Sequence, residues 1–228
     1  DRSAQLAIGV THAPYARILD AMNEDNLDLI FEGKKFEDLP ARPRLLITAT
    51  DLSKARGFQF TPEQFSLICS DLRSVPLAFA AGASSSVPFL FSPIAVKNYS
   101  GSTHCPNKAT IHREIDWELD YRTQHLYKDK LTYLDSDNRP FIHLVDGAVS
   151  DNLGLRSIID RPSVSGDLNA LITRATPRSV RRLIFIVINA EIDPLENIDQ
   201  SQESPDLIKV ASAIRFSKGL DRKSTRLN

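Results

Sequence analysis

The apolar residues of this chain fall into short runs that are separated by polar turns. Residues 45–50 and residues 141–145 each form such a run, and each run ends at an aspartate, Asp51 or Asp146. We expect both runs to be β-strands, because short apolar runs bounded by turn residues are typical of strands. Residues 183–188 are apolar without alternation, which is typical of a strand covered on both faces in a parallel sheet.

Helix signals alternate with these strands. The clearest is at Thr61, a hydroxyl cap that is followed by Pro62 at the first helical position and by Gln64 three residues after the cap. Further helices are predicted over residues 14–22, 76–81 and 153–159, and a further short strand over residues 58–60. The alternation predicts an α/β chain that forms a single layered domain, with a mostly parallel central sheet flanked by helices.

One long segment does not fit this alternation. Residues 98–138 are polar and irregular in pattern, with charges of both signs, and are predicted to be an insertion or a long surface excursion. We expect residues 1–190 to form the domain and residues 191–228 to be a C-terminal extension. The chain opens on Asp1 and closes on a polar tail, so we expect an N-terminal truncation and final residues that need not be native sequence.

Composition and charge narrow the classes of function. The 228 residues are 42% hydrophobic and 25% charged, as in an ordinary globular domain, and the formal net charge is -1. This balance gives no support for nucleic-acid binding or for a polybasic membrane footprint. The two cysteines, Cys69 and Cys105, are too few for a disulfide framework, and two buried thiols are favoured over a single disulfide between them. No metal site and no cofactor site is predicted.

Asp146 is the strongest candidate for chemistry. A general base needs a carboxylate held within reach of a nucleophile, and strand ends of open α/β sheets line the binding crevice. Gly147 beside it permits a tight turn and a close backbone approach. The alternative is an ordinary turn, because Asp-Gly is a common turn pair. Asp51 also ends a strand, but a local turn or cap role is favoured for it, and His143 is interpreted as a core or supporting residue.

Three segments of the chain occur in the order and spacing of a known family. They are Ala49-Thr50-Asp51-Leu52 with Gly57-Phe58-Gln59-Phe60, then Ala83-Ser84-Ser85-Ser86-Val87-Pro88 with the residues up to Pro93, then His143-Leu144-Val145-Asp146-Gly147-Ala148 with the residues up to Gly154. Over residues 40–190 they resemble the downstream part of the patatin-like phospholipase domain, bacterial branch. The resemblance implies a serine–aspartate dyad: a serine in a G-x-S-x-G elbow attacks an ester carbonyl, and Asp146 of the motif Asp146, Gly147, Ala148 accepts its proton.

The nucleophile elbow of that family is absent from this sequence. The elbow needs two glycines four positions apart, and none of the nine glycines is so spaced. The segment from Gly82 to Ser86 comes closest, but Ser86 stands where the second glycine should be. Within the resemblance, the serines of this segment either help to shape an acyl pocket beside residues 89–91 or end a helix that packs closely against its neighbours. The second interpretation is favoured.

The resemblance implies that the parent protein is a lipid acyl hydrolase and that this chain supplies only its base. The chain alone is therefore predicted to be inactive or nearly so. The implied partner is a lipid or phospholipid ester, with peripheral membrane contact, and a membrane-associated or cell-envelope location in a bacterium is compatible with it. The alternative hypothesis is a non-catalytic lipid-binding or membrane-associated module on the same fold. The two differ in whether Asp146→Asn slows hydrolysis by the intact parent.

Overall fold

The computed structural model describes residues 25–103, 105, 121–156, 158, 184 and 186–188. The described strands are β1 (Thr48–Asp51), β2 (Arg56–Gln59), β3 (Ile94–Lys97) and β4 (Phe141–Val145), and they form one sheet in the order β2-β1-β4-β3. The helices are α1 (residues 25–31), α2 (Pro62–Leu67), α3 (Leu77–Ser85), α4 (Tyr121–Leu131) and α5 (Ala148–Asp151), with 3-10 helices at Phe36–Asp38, Leu72–Ser74 and Thr132–Leu134. None of these described helices has the length and apolar character needed to cross a membrane.

All strand pairs of the described sheet are antiparallel, so the prediction of a mostly parallel central sheet is wrong. β1 and β2 are joined by residues 52–55 alone, which are too few for the crossover that a parallel pair needs. β4 lies between β1 and β3 and runs opposite to both. The apolar runs correctly indicated where β1, β2 and β4 lie, but a run of apolar residues carries no information about the direction of its strand.

The run that most favoured a parallel sheet does not form a strand where the structure describes it. Ile184, Ile186, Val187 and Ile188 have no regular secondary structure, and they expose 77%, 83%, 47% and 86% of their surface. The predicted strand covered on both faces is therefore wrong for these residues.

The predicted start of α2 is confirmed. The Thr61 hydroxyl oxygen accepts a hydrogen bond from the Gln64 backbone N–H at 3.2 Å, and Pro62 occupies the first turn. Proline fits there because the first helical N–H groups have no partner inside the helix. The helix predicted over residues 14–22 lies outside the described residues.

α3 confirms the helix predicted over residues 76–81, but it does not stop at Gly82. It continues to Ser85, with Gly82 buried in its second half. A Cβ at Gly82 would lie 3.3 Å from a Leu27 side-chain carbon of α1 and 3.5 Å from an Ile94 side-chain carbon of β3. This glycine therefore allows close packing between elements and does not end the helix.

The segment 98–138 is more regular than predicted. Its described part contains α4 and the 3-10 helix Thr132–Leu134, so the prediction of an irregular segment is wrong there. α4 gave no clear signal because its residues are mostly polar. The helix predicted over residues 153–159 is displaced: α5 starts earlier, at Ala148, and the described residues Arg156 and Ile158 are helical again.

The hydrophobic core lies against one face of the sheet. Phe58 of β2 is fully buried near its centre. Its aromatic neighbours are Phe60, Phe65 and Tyr133, at centroid distances of 5.7, 5.8 and 6.0 Å. In β4, Ile142 and Leu144 point into this core, whereas Phe141 and His143 are exposed. Such alternation is typical of an antiparallel sheet that is covered mainly on one side.

Candidate active site

Asp146 is the first residue after β4, and it is half-buried. Its Oδ1 accepts a hydrogen bond from the Ala148 backbone N–H at 2.7 Å. Within the described residues no other group donates to the carboxylate, so Oδ2 has no protein partner there. Burial raises the pKa of Asp146 above its ordinary value, and the hydrogen bond from Ala148 acts in the opposite direction. The carboxylate thus has one fixed oxygen and one available oxygen.

The backbone around Asp146 is held by hydrogen bonds from two elements. The Asp146 N–H donates to the Ser86 carbonyl oxygen at 2.9 Å, and the Gly147 N–H donates to the Ser84 carbonyl oxygen at 3.0 Å. From β1, the Thr50 hydroxyl donates to the Asp146 carbonyl oxygen at 2.8 Å. We call these three bonds the backbone clamp. They fix the carboxylate relative to the end of α3 and to the centre of the sheet.

Thr50 is a positioning residue that the sequence analysis did not identify. It is fully buried, and its hydroxyl lies 2.8 Å from the Ser150 hydroxyl. The Ser150 N–H also donates to the Thr50 hydroxyl oxygen, at 3.2 Å. The Thr50 hydroxyl of β1 therefore binds both the Asp146 backbone and Ser150 of α5. The only local signal was a hydroxyl residue within an apolar run, directly before Asp51.

The structure leaves no room for a side chain at Gly147. A Cβ at this position would lie 2.6 Å from the Thr48 carbonyl oxygen, which is closer than real Cβ atoms come. The predicted close backbone approach is therefore confirmed. The predicted tight turn is not the reason for the glycine, because its φ is -62°, an angle that any residue adopts.

The serine run is confirmed as a helix end that packs closely. The Ser85 hydroxyl donates to the Ala81 carbonyl oxygen at 3.0 Å, and the Ser86 hydroxyl donates to the Gly82 carbonyl oxygen at 2.7 Å. Both hydroxyls thus bond back to α3, while the Ser84 and Ser86 carbonyl oxygens accept two of the hydrogen bonds of the backbone clamp. No serine hydroxyl of the described residues donates to Asp146. The interpretation of the run as part of an acyl pocket stays a prediction.

The carboxylate of Asp51, the other strand-end aspartate, shares no hydrogen bond with Asp146. In the antiparallel register of β1 and β4, Asp51 is opposite Leu144, two residues before Asp146. Asp51 is fully buried. Its Oδ1 accepts hydrogen bonds from the Ser53 N–H at 3.0 Å and the Ser53 hydroxyl at 2.9 Å, which confirms the predicted local turn role.

A long-range ion pair with Arg139 was not predicted for Asp51. Its Oδ2 accepts from Arg139 Nη2 at 2.6 Å and from the Tyr133 hydroxyl at 2.7 Å. Burial alone would raise the pKa of Asp51, but the bonds from Arg139 and Tyr133 outweigh it and lower the pKa. Burial and then the Asp51 charge raise the pKa of Tyr133. These partners are separated from Asp51 by more than eighty positions along the chain, so no local pattern indicated them.

His143 is exposed, so its interpretation as a core residue is wrong. It lines a shallow depression of about 430 Å³ on the outer face of the sheet. The other residues of the lining are Ser53, Lys54, Asn138, Arg139, Pro140 and Phe141. Asp146 is not part of this lining. Among the described residues, no group of three or more His, Cys, Asp or Glu side chains is placed to hold a metal ion.

No known protein family, no curated protein and no solved structure matches this chain. The resemblance to the patatin-like phospholipase domain therefore rests on the three sequence segments, and the backbone clamp joins residues of all three, namely Thr50, Ser84 with Ser86, and Asp146 with Gly147.

Proposed function

We propose that Asp146 is the general base of a lipid acyl hydrolase of the phospholipase A type, which cleaves carboxylic esters. The observation that supports this is a half-buried carboxylate with one oxygen fixed by Ala148 and the other without a protein partner. The sequence contains no G-x-S-x-G elbow, so the proposal requires a nucleophilic serine from outside these 228 residues.

In the proposed reaction Asp146 takes the proton of the serine hydroxyl as the serine oxygen attacks the ester carbonyl carbon. It then gives that proton to the departing alcohol oxygen, and water releases the acyl group by the same steps in reverse. A raised pKa suits this role, because a carboxylate that binds a proton more tightly is a stronger base. The backbone clamp keeps the carboxylate in one position, as proton transfer over hydrogen-bonding distance requires.

The second candidate is a non-catalytic lipid-binding module. It is favoured by the lack of a serine hydroxyl bonded to Asp146 among the described residues. Phe89, in the turn that follows α3, is 60% exposed and could enter a lipid surface.

The two candidates are separated by Asp146→Asn in a longer protein that contains this chain and the missing elbow. We expect the variant to hydrolyse a phospholipid ester about 100- to 10,000-fold more slowly than wild type, the usual contribution of a general base. Asp137→Asn is the matched control, because Asp137 is exposed. A serine-reactive fluorophosphonate should label the longer protein and not the 228-residue chain.

Hydrolysis by Asp146→Asn at the wild-type rate would exclude the dyad. Binding of phospholipid vesicles without turnover by the longer protein would favour the second candidate.

A further inference from the structure

Cys69 and Cys105 are neighbours although they are far apart in the sequence, and the Cys105 thiol contributes to the raised pKa of Cys69. Both are free and partly exposed. The backbone around them is also tied together, because the Tyr99 N–H donates to the Ile68 carbonyl oxygen at 3.0 Å. From Tyr99 the chain turns through Ser102 to Cys105 by two further backbone hydrogen bonds, of 2.8 and 3.1 Å.

Cys69 occupies a backbone position that normally takes glycine. α2 ends in a pair of hydrogen bonds: the Cys69 N–H donates to the Ser66 carbonyl oxygen at 3.2 Å, and the Ser70 N–H donates to the Phe65 carbonyl oxygen at 3.0 Å. This pattern is a Schellman motif, and it places Cys69 in the left-handed region, with φ of 56°. A residue with a Cβ is strained there, and such strain is common at functional positions. The motif also fixes the direction of the Cα–Cβ bond of Cys69.

We propose that Cys69 and Cys105 form an intramolecular disulfide when the protein meets a small-molecule disulfide such as oxidised glutathione. One cysteine thiolate attacks a glutathione sulfur and releases one glutathione thiol. The other cysteine thiolate then attacks the mixed disulfide and releases the second glutathione. Two protein thiols are oxidised, one glutathione disulfide is reduced to two thiols, and both protons end on glutathione.

The cross-link would join the end of α2 to the segment that follows β3. β3 is an edge strand, with a hydrogen-bonded neighbour in the described sheet only at β4. The loop between the two cysteines contains α3 and β3, so closing it would restrict the unfolded chain over that whole stretch. The inference does not depend on the proposed hydrolase activity, because neither cysteine is hydrogen-bonded to Asp146 or takes part in the backbone clamp.

The bond should form slowly at neutral pH. Burial raises the pKa of the Cys69 thiol to about 12, and the contact with Cys105 adds to this rise. A thiol of this kind is a poor nucleophile at neutral pH, because the thiolate is the reacting form. The pair therefore suits a stabilising cross-link made once in an oxidising compartment, and it does not suit a rapid redox sensor.

The test uses the full 228-residue chain, purified in reductant and then incubated with oxidised glutathione under native conditions and in guanidinium chloride. Mass spectrometry should find the loss of two hydrogen atoms and a peptide that links Cys69 to Cys105. We expect at least about tenfold more of this link, relative to glutathione adducts, in the native sample than in the denatured one, because folding holds the thiols together. Equal ratios in the two samples, stable glutathione adducts on both cysteines, or links only between molecules would overturn the proposal.

Thermal melting provides a second readout. Oxidation should raise the melting temperature of the wild-type chain by roughly 5–10 °C, given the length of the closed loop. Cys69→Gly is the matched variant, because glycine suits the left-handed backbone; reduced Cys69→Gly should melt no lower than reduced wild type, and oxidant should leave it unchanged. An equal response of the wild type and Cys69→Gly to oxidant would contradict the proposal.

Discussion

Asp51 and Asp146 each follow an apolar strand, yet their surroundings are opposite. Asp51 is fully buried and accepts two hydrogen bonds on each carboxylate oxygen, including one from the guanidinium of Arg139. Asp146 accepts one, from Ala148, and keeps one oxygen without a partner in the described residues. The pKa of Asp51 is lowered, and that of Asp146 is raised. A strand-end aspartate is thus held in an ion pair or left with an unpartnered carboxylate oxygen, depending on the groups around it.

The largest loss of unfolding free energy is expected for Asp51→Asn. The substitution keeps the side-chain shape but leaves the Arg139 guanidinium, whose side chain is 13% exposed, without its counter-ion. Removing one member of such a buried pair typically costs about 3–5 kcal/mol of unfolding free energy. Guanidinium chloride denaturation measures the loss, and Asp137→Asn at an exposed site should change stability by less than about 0.5 kcal/mol. A loss as small as that of the control would mean that Asp51 and Arg139 are not paired in solution.

Gly147→Ala tests the Asp146 side of the comparison through its backbone. The new Cβ would press on the Thr48 carbonyl oxygen, so β1 and the residues after β4 must separate. We expect the unfolding free energy to fall by about 1–3 kcal/mol, the range for overpacking a tight site. Gly57→Ala is the matched control, since its Cβ would meet nothing closer than the Ser150 hydroxyl oxygen at 3.8 Å. If both substitutions are equally tolerated, the close approach at Gly147 is not present in solution.

Tyr133→Phe removes one hydrogen bond from the Asp51 group and leaves the ion pair. We expect a loss of about 1 kcal/mol, the net value of a typical hydrogen bond. Without this bond the pKa of Asp51 should rise toward its ordinary value, so acid unfolding should begin at a higher pH. A double-mutant cycle with Asp51→Asn checks the coupling: Tyr133→Phe should cost less when Asp51 is already replaced. Simple additivity would argue against direct contact.

The smallest change in unfolding free energy is expected for Asp146→Asn. The pH dependence of this change should have the opposite sign to that of Asp51→Asn. A lowered folded-state pKa gives Asp51 a contribution that is present above its unfolded pKa and is lost as pH falls through the folded pKa. A raised pKa gives Asp146 a contribution that is present below its unfolded pKa and is lost as pH rises through the folded pKa.

At neutral pH, Asp146→Asn should therefore be as stable as wild type or slightly more stable. Its stability relative to wild type should increase as pH rises. The loss of stability of Asp51→Asn relative to wild type should become smaller as pH falls. Denaturation over a pH series measures both trends. The contrast between the two aspartates fails if both variants show the same pH slope.

Features that depend on neighbouring residues could be predicted from the sequence. Thr61 and Pro62 indicated the start of α2, and the apolar run before Asp146 indicated β4. In both cases the physical cause lies within a few residues, as a cap, a proline or an apolar run.

Features that depend on distant contacts could not be predicted in this way. The antiparallel direction of the sheet is decided by which strands pair, and the apolar runs are the same for either direction. The two distant partners of Asp51 are Tyr133, near the end of the segment 98–138, and Arg139, directly after it. That segment was predicted to be irregular because its described helix is mostly polar. The Thr50 hydroxyl reaches Asp146 across two adjacent strands, and nothing in the order of residues indicates that bond.

The backbone clamp has a consequence for how related sequences could diverge. Ser84 and Ser86 hold Asp146 and Gly147 with carbonyl oxygens, which every amino acid possesses. Other small residues at these two positions would keep the same bonds, so the serines can be substituted in related sequences without a change in the position of the carboxylate. Gly147 has no such freedom, because any side chain there meets the Thr48 carbonyl oxygen. Distant relatives with this arrangement would be recognised by an aspartate and a glycine after a strand, and not by their serines.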